Sequence, residues 1–338
     1  MIIFIENALK NSVFNIIIKH YFRGGSFMKW LKGLGIILLV LILSYIAVSL
    51  IAPEKVFNLM INLQRGGANL SQKEISTGDY KFIYLETDSV PQGGETIVLL
   101  HGFQCNKDYM VPMAKYLKGY HLVIPDIPGF GDTEKNPSLK YDIPSQADRL
   151  DRFIKKIGLT KFYLAGNSMG GNIAGVYAAS HPDRVRGLVL IDSAGVTMPV
   201  KSTFVKQLEN HTNPLLISDE KDYDRVIDMV YFKKPFIPFP LKGVMISKAI
   251  ESRPFNEQIT RESLANYALE NEIKKITMPV LIIWGENDKL IDVSTVQVLE
   301  KGLKNHETKI LKNCGHIPMM ERPEETAGYI ASFIKSGK

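Results

Sequence analysis

Gly166-Asn167-Ser168-Met169-Gly170-Gly171 decides the fold, because the apolar run Phe162 to Ala165 precedes it and the Ala-rich helical pattern Asn172 to Ala179 follows. That context reads as strand, sharp turn, helix. A G-x-S-x-G at such a junction puts Ser168 on a strained turn at the end of a strand, where small flanking residues let backbone approach backbone and leave Oγ exposed. Ser168 is the candidate nucleophile. A serine hydroxyl is a poor nucleophile at neutral pH, so it needs a base, an acid that orients the base, and donors for an oxyanion.

The rest of the chain offers each of these. Asp288 follows the apolar run Val280 to Trp284 in Gly285-Glu286-Asn287-Asp288, and His316 follows Cys314-Gly315 after the strand-like Thr308 to Leu311. Both sit where a strand meets a loop, and groups at the carboxyl ends of parallel strands converge however far apart they lie in sequence. His316 is the expected general base and acid, with Asp288 holding its tautomer. Asp192, at the end of Leu188 to Ile191, is the second-ranked acid, whereas Asp292 stands before a helical pattern and reads as an N-cap. His101, in Thr96-Ile97-Val98-Leu99-Leu100-His101-Gly102-Phe103, runs from a strand into a glycine turn, and its imidazole is read as structural. The backbone N–H groups of Phe103 and Met169 are the expected oxyanion donors, the latter favoured by the dipole of the following helix.

With these residues in view the chain resembles the α/β-hydrolase superfamily from about Tyr80 to the C-terminus. Within it, the chain is most similar to membrane-anchored monoacylglycerol lipases and their bacterial lipase or esterase relatives. The likeness rests on His101-Gly102-Phe103 with Lys107-Asp108, Ser168-Met169-Gly170-Gly171, Ala174 to Ala179, Ile283-Trp284-Gly285 with Asp288, Asp292-Val293-Ser294, Asn313-Cys314-Gly315-His316 and Met320-Glu321-Arg322-Pro323. The resemblance implies ester hydrolysis through an acyl-enzyme, without metal or organic cofactor, and carries the triad to Ser168, Asp288 and His316. It also implies an alternative, since carbon–carbon bond hydrolases of aromatic degradation share Gly-Asn-Ser-Met-Gly-Gly and Cys-Gly-His. Those enzymes are soluble and usually carry an aromatic residue after the histidine, where this chain has Ile317-Pro318. A non-catalytic membrane-bound binding module is a further alternative, disfavoured because every catalytic role is filled.

The amino terminus carries a second signal. Gly33 to Ala52 is an uncharged run of 20 residues, long enough to cross a bilayer core of roughly 30 Å as a helix. Residues 1–32 hold Lys10, Lys19, Arg23, Lys29 and Lys32 against Glu6 alone, which places +4 of the formal net charge of +6 in this segment. By the positive-inside rule residues 1–32 are expected in the cytoplasm, 33–52 across the membrane and the hydrolase domain outside. The basic balance therefore belongs to the anchor, and no nucleic-acid partner is expected. Ala47-Val48-Ser49 leaves open cleavage as a signal peptide and secretion. Met28 is an alternative start. With the longer form, Ile2 to Phe22 is expected to lie on the cytoplasmic leaflet.

Residues 53–79 read as a connector in which Val56, Leu59, Met60 and Leu63 are spaced like one helical face. From Tyr80 to the end, strands are predicted near 81–86, 96–100, 120–125, 162–166, 186–191, 279–284 and 307–311, with helices between. This pattern predicts an α/β fold, a mostly parallel sheet with helices on both faces. The rhythm breaks over about 196–276, the expected helical cap, where Lys234 to Leu241 is rich in proline. Phe236 and Phe239 in that stretch are candidate contacts for an acyl chain or the bilayer, and the expected partner is a lipid or other apolar ester. No protein partner is indicated. Asp126 to Asp132 is read as a fixed turn beside the site. Cys105 and Cys314 are not predicted to bridge, and no His, Cys or carboxylate cluster has metal-ligand spacing.

Overall fold

The computed structural model describes residues 25–78, 80–89, 93–209, 213–263 and 268–337. Lys10, Lys19, Arg23 and the expected membrane-surface segment Ile2 to Phe22 lie outside the described residues. Eight strands form one sheet: β1 (Leu70–Ser76), β2 (Lys81–Thr87), β3 (Thr96–Leu100), β4 (His121–Pro125), β5 (Phe162–Asn167), β6 (Val185–Ile191), β7 (Val280–Gly285) and β8 (His306–Leu311). Their order is β1-β2-β4-β3-β5-β6-β7-β8. β2 is antiparallel to β1 and β4, and every other neighbouring pair is parallel. The chain builds β3 and β4, then crosses back to place β5 on the other side of β3. That reversal opens a crevice at the carboxyl ends of β3 and β5, where open α/β sheets place their ligands.

The central strands are apolar along their whole length because both faces are covered. Leu188, Leu190, Ile282 and Trp284 belong to one hydrophobic cluster, and their neighbours Val189, Ile191, Leu281 and Ile283 to another, the alternation that a strand imposes on its side chains. All eight are fully buried, and each contributes roughly 1.5–3 kcal/mol relative to exposure. Helices Ile143–Lys156 and Met169–Ser180 supply Leu150, Phe153, Ile173 and Tyr177 to the first cluster, while helix Pro323–Ser336 supplies Ile330 and Phe333 to the second.

The expected connector over 53–79 has the helix that the spacing of Val56, Leu59, Met60 and Leu63 suggests, and also an unexpected strand. It contains a helix, Pro53–Gly67, and then β1, which pairs with β2 along its full length. β1 has the sequence Leu-Ser-Gln-Lys-Glu-Ile-Ser and is exposed at most positions. No apolar alternation marks it as a strand; pairing with β2 and the ion pairs Lys73–Glu86 and Lys81–Glu74 hold it. In the preceding helix Val56 is buried while Leu59 and Leu63 are exposed.

The chain forms two compact units. One comprises the described residues up to Phe57 together with Phe239–Leu241, and the other Asn58–Pro238 and Lys242 onward. The first contains helix Gly25–Ile51, whose segment Gly33–Ile51 has a mean hydropathy of 2.9 and is long and apolar enough to cross a membrane. Between β6 and β7 the chain carries helices Thr203–Glu209, Glu220–Val230, Leu241–Ser263 and Ala268–Glu272.

Candidate active site

Ser168 stands between β5 and helix Met169–Ser180 with φ 54° and ψ −120°, a left-handed conformation that costs a non-glycine residue of order 1–3 kcal/mol. Its surroundings hold it there. Its N–H donates to the Ile191 carbonyl at 3.0 Å, and its own carbonyl accepts from Gly171, Asn172 and Ala194. The turn closes because its glycines have no side chain: a Cβ on Gly166 would lie 2.2 Å from the Gly170 oxygen, and one on Gly170 2.4 Å from the His101 oxygen. Ser168 itself remains partly exposed.

His316 and Asp288 meet from the loops after β8 and β7. His316 Nδ1 lies 2.7 Å from Asp288 Oδ2, and both residues are buried. The second oxygen of Asp288 accepts the Leu290 and Ile291 N–H groups at 2.7 and 3.0 Å. The carboxylate is therefore fixed at both ends, with the imidazole Nδ1–H donating to it and Nε2 left as an acceptor. Asn167, next to Ser168, ties the loop after β8 to the end of β6: its Nδ2 donates to the His316 carbonyl at 3.0 Å and to the Ile191 carbonyl at 3.2 Å.

The loop after β3 lies against the serine, since a Cβ on Gly102 would stand 3.2 Å from Ser168 Cβ. His101 pins this loop. Its Nε2 accepts the Ile127 N–H at 2.9 Å, so Nδ1 carries the proton and donates to the Gly102 carbonyl at 2.8 Å. Complete burial lowers its pKa to about 3 and keeps it neutral. Among the described residues the Phe103 and Met169 N–H groups, which directly follow Gly102 and Ser168 in the chain, donate to no acceptor. Two adjacent donors and an accessible hydroxyl are the parts of an oxyanion site.

The second-ranked acid, Asp192, is also present but differently engaged. Fully buried after β6 at φ 43°, it accepts the Gly285 N–H at 2.9 Å through Oδ1. It does not replace Asp288 as the partner of the imidazole. Ligand-type atoms of Asp192, Asp288 and His316 lie within 4.8 Å of one another. Because His316 Nδ1 and both Asp288 oxygens are already hydrogen-bonded, the group has the form of an oriented imidazole–carboxylate pair more than of a metal shell. Asp292 caps the turn Val293–Thr295, its Oδ1 accepting the Ser294 N–H.

Phe236 is 90% and Phe239 54% exposed, so neither is packed into a hydrophobic cluster. Phe239 belongs to the unit of helix Gly25–Ile51, where its carbonyl accepts from the Tyr45 hydroxyl. Cys105 and Cys314 are both free thiols.

Sequence reading attached no role to three groups that hold these loops. Asn167 is one. The second is Lys107, completely buried, whose ammonium lies 2.8 Å from Asp126 and 2.6 Å from Asp132. The third is Glu321, which accepts N–H groups from Gly315, Phe232 and Lys233. All three fall in or beside quoted motifs, but their bonds link segments far apart in sequence, and nothing in the local pattern signals them.

Residues 95–217 and 246–323 match the family model for the alpha/beta hydrolase fold. The chain is 34% identical over 312 residues to monoacylglycerol lipase abhd6-B of Xenopus laevis, covering 88% of this chain and 92% of the relative. It is 34% identical to Lipase 1 of Psychrobacter immobilis over 282 residues, 81% of this chain and 87% of that one. The crystal structure of a membrane phospholipase A described as a bacterial virulence factor superposes with a TM-score of 0.82 at 38% identity, covering 92% of this chain and 99% of that chain.

Proposed function

The chain belongs to the α/β-hydrolase family and is a serine ester hydrolase, and on that premise we propose that it cleaves lipid esters, most closely as a monoacylglycerol lipase does, through Ser168, His316 and Asp288. The observation that carries the reading is the 2.7 Å hydrogen bond between His316 and Asp288, at the same carboxyl end of the sheet as the strained Ser168 turn. His316 Nε2 takes the Ser168 proton as Oγ attacks the ester carbonyl, and Asp288 stabilises the imidazolium that forms. The Phe103 and Met169 N–H groups bind the oxyanion. Collapse of the tetrahedral intermediate expels the alcohol, protonated by His316, and leaves an acyl-serine. Water, deprotonated by the same imidazole, then releases the acid.

The lipase activities of the relatives support a lipid substrate and favour neither a carbon–carbon hydrolase nor a non-catalytic module. The segment Gly33–Ile51 acts in this reading as a single membrane anchor, with residues 1–32 cytoplasmic and the catalytic domain on the far side; secretion after signal cleavage is the competing topology. Phe236 and Phe239 then present apolar surface to an acyl chain or the bilayer.

The test is hydrolysis of 1- and 2-monoacylglycerols of several chain lengths, short soluble esters and a vinylogous diketone by detergent-purified wild type and Ser168→Ala. Long-chain acid released by wild type and lost by at least about a thousand-fold in Ser168→Ala supports the proposal. Cleavage of the diketone alone moves the enzyme to carbon–carbon hydrolysis. Silence on every substrate retires the catalytic reading.

A further inference from the structure

Asp192 holds a buried oxygen that the mechanism leaves unused. The residue is completely buried, and Oδ1 accepts the Gly285 N–H while Oδ2 has no hydrogen-bond partner. An ionised carboxylate with a bare buried oxygen is costly, and a second carboxylate close by makes it more so. Asp192 shares a cluster with the Asp288 carboxylate and the His316 imidazole, their ligand-type atoms within 4.8 Å of one another, accepts the Gly285 N–H, and interacts electrostatically with the Glu321 carboxylate and the Cys314 thiol. Of the two aspartates, Asp288 receives two backbone N–H groups and the imidazole, whereas Asp192 receives one N–H. The negative charge settles where the donors are.

We propose that Asp192 is a neutral carboxylic acid whose Oδ2–H donates to the Asp288 carboxylate, making it a positioning residue for the His316–Asp288 pair. Burial first, and then the negative charge of the adjoining Asp288, push its pKa well above the carboxylate range, in agreement. As a neutral donor, Asp192 fixes the Asp288 carboxylate without adding a second negative charge beside the imidazole. The backbone keeps it in place at φ 43°, since its N–H donates to the Ile283 carbonyl at 2.9 Å. The proposal rests on the ester-hydrolase reading for its catalytic consequence but not for its protonation state.

The test compares Asp192→Asn and Asp192→Leu with wild type in the full chain in detergent. Asn keeps an acceptor for Gly285 and a donor for Asp288, so its kcat is expected within about two-fold of wild type, with the acidic limb of kcat/KM unmoved. Leu removes both and is expected to lower kcat by about ten- to a hundred-fold, with KM little changed, the range typical of lost outer-shell partners. An acidic limb displaced by about one pH unit or more in Asp192→Asn would mean that a negative charge had been removed and would overturn the proposal. Equal losses in Asn and Leu would do the same. Difference infrared spectra of wild type minus Asp192→Asn at neutral pH supply an activity-free readout: a protonated carboxyl band supports the neutral acid and its absence overturns it. A wild type that shows the band but cleaves no ester retires the ester-hydrolase reading and leaves the neutral acid standing.

Discussion

At residue scale the site is a set of close approaches that tolerate almost no change in shape. Gly170 packs against the carbonyls of His101 and Leu100, where a Cβ would lie 2.4 and 2.7 Å away. Both are backbone atoms of a central strand and its loop, so they cannot swing aside. Gly170→Ala is expected to cost about 1–3 kcal/mol by overpacking, read as a lower unfolding midpoint, and to lower kcat by displacing Ser168. A wild-type midpoint would show that the turn has room to relax. Asn167 makes a different demand, because it is a donor between two carbonyls. Asn167→Ala leaves both acceptors without it, at about 1–3 kcal/mol. The nearly isosteric Asn167→Asp aims oxygens at oxygens and is expected to cost more than Ala; urea denaturation that ranks Asp above Ala would contradict this account.

At the scale of elements, the loops after β3 and β4 are locked together by buried polar groups. His101 is neutral in the folded chain at about pKa 3, against an unfolded value near 6.5. Between those values the unfolded chain binds the proton and the folded chain does not. The associated stability is thus present above pH 6.5 and is lost progressively as pH falls toward 3, with a slope of up to about 1.4 kcal/mol per pH unit. His101→Gln should flatten this slope in urea titrations at pH 4 to 7 relative to wild type. The Lys107–Asp126 pair is buried at 2.8 Å beside it. Lys107→Met strands Asp126 and is expected to cost about 3–5 kcal/mol, while Lys107→Met with Asp126→Leu should recover part of that loss in the same measurement.

At the scale of the whole molecule the chain joins a membrane-length apolar helix to a catalytic sheet. If Gly33–Ile51 anchors it, the full chain should stay with membranes through high salt and enter solution with detergent. A chain beginning at residue 53 should be soluble and keep Ser168-dependent cleavage of a short ester; its retention in the pellet would assign binding to helix Pro53–Gly67, which exposes Leu59 and Leu63. Replacing Phe236 and Phe239 with Ala should reduce turnover of long-chain monoacylglycerol by several-fold more than that of a short soluble ester. Equal losses would count against an acyl or bilayer contact.

Strands β2 to β7 are legible because each carries an apolar run bounded by turns, the pattern that burial demands, whereas β8 is buried only at Leu311 and is signalled by its place after the β7 unit; all seven boundaries fall within one residue of those expected. Ser168, Asp288 and the His101 loop are legible because each stands where such a run ends, and His316 because it follows Cys314-Gly315 after the last strand. The exposed edge strand β1 was not, since pairing, not apolarity, makes it a strand. Sequence ranks Asp288 above Asp192, but both end strands, and the role of the second acid is not legible. Asp288 meets His316 while Asp192 lies behind the pair because of how the loops after β6, β7 and β8 converge. Local pattern records which residues prefer burial or a turn, whereas a hydrogen bond between loops depends on where the packed sheet brings their ends, and that is fixed only by the folded whole.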